Sequence, residues 1–323
     1  MIQFCIEYAV DNPFQLLLTI VSILGAISSW GYAKRSQRRS EEWTDSAAIN
    51  LTATELDKVL WAITDVYREG EESNYEWQRF VEERMESRGM NVLRTYSGSG
   101  VEAVICRYGS VMIVAIRGTD GTWDVIRDLS SGKVNAPFQG RAHRNFQQDA
   151  ELLYWDMGLR RDVRRLRKPN DRLVICGHSL GGATAIQLSA ILSQYHQLLP
   201  EDEVVTLCAP RSADPEHARA IERRIGSQIH RFVNSRDLVP MLPPAWLGFR
   251  HVSPTRYFDS KGEYHSALTL GFKLYDFLAS NFRDAYRLRW FRGLLGYHSA
   301  LTVADLVRLA IRHNRIELLP EIE

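Results

Sequence analysis

The residues Gly177-His178-Ser179-Leu180-Gly181-Gly182 follow the apolar run Leu173-Val174-Ile175-Cys176 and precede Ala183-Thr184-Ala185-Ile186. That order predicts a strand, a tight turn and a helix, with Ser179 at the apex of the turn. A serine there is held in a strained backbone conformation that points its Oγ out of the sheet. Gly177 and Gly181 let strand and helix approach closely. The helix that follows aims its N-terminal N–H groups at negative charge forming beside the serine. The chemistry this suits is nucleophilic attack by Ser179.

A serine hydroxyl is a poor nucleophile unless a histidine takes its proton and a carboxylate orients that histidine. In chains of this topology the acid and then the histidine follow the serine. Asp237 lies just past the strand signal Ile229–Val233, where such an acid should project. Asp214, Asp259, Asp276 and Asp284 follow strands less directly. Four histidines come later, His251, His265, His298 and His313. Tyr264-His265-Ser266 and Tyr297-His298-Ser299 share a local pattern, and spacing alone leaves His265 and His298 equal. An oxyanion formed at the serine needs two donors. One is the backbone N–H of Leu180. The other is assigned to Thr119, in Arg117-Gly118-Thr119-Asp120 at the end of the strand Val111–Ile116.

The elements that must position these groups alternate. Thr52 or Thr54 caps a helix with apolar residues at Leu56, Val59, Leu60, Ile63 and Val66, and a second helix is expected over Tyr75–Arg88. Strand signals occupy Asn91–Tyr96, Val101–Arg107 and Val111–Ile116. A long helix is expected over Phe146–Leu166, then a strand (Arg172–Cys176), the serine-bearing helix (Gly181–Tyr195) and a strand (Val204–Cys208). A helix (Pro215–Ile225) and the strand Ile229–Val233 follow, with a last helix over Ala300–Ile311. This alternation implies an α/β fold with a mostly parallel sheet flanked by helices, whose ligands gather at the carboxyl ends of the strands.

Among the 323 residues, 40 basic and 39 acidic side chains give a net charge of +1, which argues against nucleic acid as a partner. Cys5, Cys106, Cys176 and Cys208 show no metal-ligand spacing, so neither a metal nor a disulfide framework is expected. Residues 13–33 open with twenty positions without a charge, Pro13 to Tyr32, and Lys34, Arg35, Arg38 and Arg39 follow. Their length and flanks predict a transmembrane helix, with the N-terminus outside and the remainder cytoplasmic. The expected organisation is a short tail (1–12), that helix (13–33), a charged linker (34–50) and one globular domain (51–323).

VMIVAIRGTDGTWDVIRDL, VICGHSLGGATA, VVTLCAPR and RFVNSRDLVPMLPP resemble, in order, consecutive blocks of the class 3 lipase family of α/β-hydrolases. The resemblance implies Ser179 as nucleophile, Asp237 as acid, and Thr119 and Leu180 as oxyanion donors. It favours His298, because the family's histidine comes late, before the last helix. It also implies that the segment after Thr119 forms a lid, with Trp123, Ile126 and Leu129 as its apolar face. No cofactor is implied.

The expected protein is therefore a membrane-anchored, single-pass serine ester hydrolase, with a lipid ester substrate (acylglycerol or phospholipid) and the bilayer as its partners. Two alternatives are a soluble-ester or thioester hydrolase merely tethered to the membrane, and a catalytically silent membrane-bound scaffold.

Overall fold

The computed structural model describes residues 48–67, 74–118, 132–266, 276 and 298–321. The chain enters through α1 (Ala53–Asp65), whose start is a reciprocal cap: Thr52 Oγ1 accepts from the Glu55 amide, and the Glu55 carboxylate accepts from the Thr52 amide. Its apolar residues recur at helical spacing, so Leu56, Val59, Leu60 and Ile63 all point to one side and are fully buried. Then come α2 (Asn74–Ser87), β1 (Asn91–Gly98), β2 (Val101–Tyr108) and β3 (Val111–Ile116). A small ribbon, β4 (Lys133–Asn135) with β5 (Arg141–His143), precedes α3 (Arg144–Glu151) and α4 (Leu159–Leu166). The remainder runs β6 (Arg172–His178), α5 (Leu180–Gln194), β7 (Glu203–Leu207), α6 (Pro215–Ile225), β8 (Ile229–Asn234), β9 (Thr255–Phe258), β10 (Tyr264–His265) and α7 (Ala300–Arg312).

One sheet holds eight strands in the order β1-β2-β3-β6-β7-β8-β9-β10. From β3 to β9 neighbours are parallel, and the outer pairs at each end are antiparallel. Strands covered on both faces read as unbroken apolar runs, and β3 is buried at every residue. Along β3 the side chains alternate between two cores. Val111, Ile113 and Ala115 pack with α1 and α7, whereas Met112, Val114 and Ile116 pack with α4 and α5.

Two expectations are corrected. The helix expected over Phe146–Leu166 is broken. α3 ends at Glu151, a π-helical turn covers Leu152–Asp156, and Gly158 adopts a left-handed backbone (φ +83°) before α4 begins. The apolar period alone does not register that break. The second correction concerns the membrane. The segment 13–33 lies outside the described residues, and among the described residues no helix is long and apolar enough to cross a membrane. α5 is the most apolar candidate, and its 15 residues rise only about 22 Å against a hydrocarbon core of about 30 Å. The fold is thus an α/β-hydrolase with a largely parallel sheet, and the transmembrane helix, the membrane-anchored function and the single-pass, cytoplasmic placement are withdrawn.

Candidate active site

Three strand ends and one helix start meet at the carboxyl edge of the sheet. β6 ends at His178, and the chain turns at Ser179 with φ +57° and ψ −129°, a combination L residues rarely adopt. Two close approaches allow the turn. A Cβ on Gly177 would sit 2.5 Å from the carbonyl carbon of Gly181, and one on Gly181 would overlap the Ile116 carbonyl. The Ser179 amide is anchored to the Leu207 carbonyl (2.9 Å). The first bond inside α5 runs from the Ala183 amide to the Ser179 carbonyl (3.2 Å). The amides of Leu180, Gly181 and Gly182 precede it, as in any helix start, and are available to an anion beside Ser179.

His298 Nε2 lies 2.7 Å from Ser179 Oγ, and His298 Nδ1 lies 2.7 Å from Asp237 Oδ2. Asp237 follows β8 by three residues and is fixed by its own loop. Its amide donates to the Asn234 carbonyl (3.1 Å), and its Oδ1 accepts from the Val239 amide (2.9 Å). The half-buried guanidinium of Arg211 grips the segment beyond, donating to the carbonyls of Met241 and Pro243. Ser179 is fully buried, and the Asp237 side chain is nearly so. With Nδ1 facing a carboxylate and Nε2 facing a hydroxyl, the imidazole is placed to carry a proton away from Oγ.

The other histidine of the repeated pattern is elsewhere. His265 Nε2 pairs with Asp259 Oδ2 at 3.0 Å in the β9–β10 hairpin. Thr119, Trp123, Ile126 and Leu129 lie outside the described residues. Leu180 opens α5 and packs with Phe146, Ala183 and Val239.

Two residues of the site were not singled out from the sequence. Tyr67, two residues beyond α1, reaches across to the elbow. Its hydroxyl accepts from the Gly118 amide (2.9 Å), donates to the His178 carbonyl (3.2 Å) and lies 3.3 Å from His178 Nδ1. It thereby ties the loop after β3 to the turn that carries Ser179. His178 packs against His298, with ring centroids 4.6 Å apart. Burial, and secondarily the nearby His298, push its imidazole well below the ordinary histidine range, so it stays neutral. The His-Ser dipeptide was visible in sequence, but nothing local shows where its ring points. A cleft of about 450 Å³ opens beside these groups, lined by Glu102, Arg117, Gly118, Phe146, Leu180 and Thr184 among others.

The parallel sheet and the Ser–His–Asp chain define an α/β-hydrolase with the constellation of a serine hydrolase. Within that class the chain has the class 3 lipase fold, and residues 113–246 match the model of the family described as lipase (class 3). Its sequence is 26% identical over 171 residues to a secreted mono- and diacylglycerol lipase of Fusarium solani, covering 52% of this chain and 50% of that protein. It is 40% identical over 85 residues to a lipase of Rhizomucor miehei, covering 26% of this chain and 23% of that one. The chain thus spans half or less of these relatives. A solved structure of Rhizomucor miehei triacylglyceride lipase superposes with a TM-score of 0.54 at 21% identity, covering 65% of this chain and 80% of that chain.

Proposed function

We propose that the protein is a serine hydrolase acting on carboxylic esters of lipids. Ser179 Oγ attacks the ester carbonyl carbon while its proton passes to His298 Nε2. Asp237 holds the Nδ1–H and stabilises the imidazolium. The carbonyl oxygen, now negative, is met by the Leu180 amide at the start of α5, with Thr119 assigned as the second donor. Collapse of the tetrahedral species breaks the bond to the alcohol, which leaves with the proton from His298. Water, deprotonated by the same imidazole, then attacks the acyl-enzyme and releases the acid.

One observation carries this reading: the unbroken 2.7 Å chain from Ser179 Oγ through the imidazole of His298 to Asp237. A silent scaffold has no use for a serine held at positive φ within a proton's reach of a carboxylate-bound histidine. The lipid character of the substrate is supported by the family match and by the lipase relatives. An acylglycerol or a phospholipid would each present such an ester.

The test is Ser179→Ala in the full chain. Hydrolysis of a short-chain p-nitrophenyl ester and labelling by a fluorophosphonate are expected to vanish, with the circular dichroism spectrum unchanged. Retained turnover in that variant would end the proposal.

A further inference from the structure

A second groove, of about 680 Å³, shares no lining residue with the cleft beside Ser179 and lies between the edge strand β1 and α4. Arg94 of β1 and Arg161 and Arg165 of α4 line it against one acid, Asp162, so the lining carries a net charge of +2. That acid is already engaged. The Tyr96 hydroxyl donates to Asp162 Oδ2 (2.8 Å), and Arg94 Nε donates to the same oxygen (3.2 Å). Among the described residues, neither the Arg161 nor the Arg165 side chain has a hydrogen-bonded or ion-paired partner. The two stand four residues apart on one helix, where like charges are neighbours and repel. Two backbone features set the walls. β1 slips register against β2 between Val92 and Arg94, and a bulge at a sheet edge re-aims the side chains beside it. Before α4, left-handed Gly158 leaves room for the Arg161 guanidinium: a Cβ there would lie 2.8 Å from its Nη2.

We infer that this groove is a binding site for a phosphate group, gripped by Arg161 and Arg165 with Arg94 as its wall. Guanidinium forks pair with phosphate oxygens two at a time, and a phosphate presents oxygens to more than one fork at once. A phosphate monoester carries nearly two negative charges at neutral pH, which matches the groove's excess of +2. The groove also borders the catalytic cleft. Ser97 lines the one and Glu102 the other, and they face each other across β1 and β2, the serine hydroxyl donating to Glu102 Oε1 (3.4 Å). Two sources supply the chemistry, a water-soluble phosphate and the headgroup of a lipid in a vesicle.

Binding is read without turnover, so the site stands or falls independently of the ester-hydrolase reading. The full-length wild type is compared with Arg161→Gln, Arg165→Gln and, on α4 but outside the groove, Arg164→Gln. Inorganic phosphate, glycerol phosphate and acetate are titrated by calorimetry. Co-sedimentation is measured with vesicles of phosphatidylcholine alone and of phosphatidylcholine with phosphatidic acid. Each groove variant is expected to weaken binding about tenfold. Arg164→Gln is expected to match the wild type, and all four proteins to melt alike. Binding of the dissolved phosphates assigns a soluble ligand, binding confined to the phosphatidic acid vesicles assigns a lipid headgroup, and either result supports the site. Binding in neither arm overturns it. So does an equal loss in all three variants, the mark of diffuse surface charge, or acetate held as tightly as phosphate.

Discussion

A single hydroxyl, that of Tyr67, joins two parts of the site, the Gly118 amide 51 residues further along the chain and the His178 carbonyl 111 residues further. By accepting from the Gly118 amide it fixes the peptide that leads into Thr119, and by donating to the His178 carbonyl it braces the serine turn. Tyr67→Phe removes one oxygen and leaves a partly buried amide without its acceptor. The expected outcome is a loss of about 1 kcal/mol in stability, read by urea denaturation. A fall of about tenfold in kcat with KM little changed is also expected, because the lost contact supports the transition state more than the bound ester. Equal rates in the two proteins would show that the loop holds its shape without the tyrosine. No periodicity marks Tyr67, since its partners are distant backbone groups. Spacing likewise leaves His298 and His265 equal, Tyr-His-Ser in both cases, and only the family resemblance favours His298. Only the fold shows that Asp259 already engages one of them.

At the scale of elements, the strand–turn–helix carrying Ser179 was the most legible part of the chain, because its constraint is steric and local. The same constraint sets its tolerance. Gly181→Ala would drive a methyl into the Ile116 carbonyl, with the backbone of Arg117 close behind. Backbone cannot yield as a flexible side chain can, so a loss of about 3 kcal/mol or more is expected in chemical denaturation. A wild-type midpoint would contradict the close packing of α5 on β3. The parallel strands were legible for a related reason, as burial on both faces leaves unbroken apolar runs. What escaped were features set by tertiary contact: the break at Gly158, and the short strands β9 and β10 at one end of the sheet, whose 4 and 2 residues carry too little pattern to read. The segment 13–33 shows the opposite risk. Its uncharged length was persuasive alone, yet apolar length is only a prior for spanning a bilayer.

For the whole molecule, buried histidines couple folding to acidity. His217 is fully buried under Phe138, its Nε2 2.9 Å from Gln187 Oε1, and burial lowers it to about 4. The unfolded chain takes up a proton at this residue as pH falls below about 6.5, whereas the folded chain does so only near 4. Its contribution is therefore whole above about pH 6.5 and is lost between there and pH 4, amounting to about 2 kcal/mol at pH 5. Urea unfolding at pH 7 and pH 5 should show that loss, and His217→Gln should flatten it. An unchanged slope in the variant would assign the acid sensitivity elsewhere, with His178 the next residue to test. A different consequence follows from how far apart the reacting groups lie in the chain. His298 is 119 residues beyond Ser179 and 61 beyond Asp237, and it sits at the mouth of α7, which packs back onto α1. A polypeptide emerging from the ribosome thus carries its alcohol and its acid long before its base. On the ester-hydrolase proposal, the nascent chain is inert through translation, and turnover begins only when α7 closes onto α1.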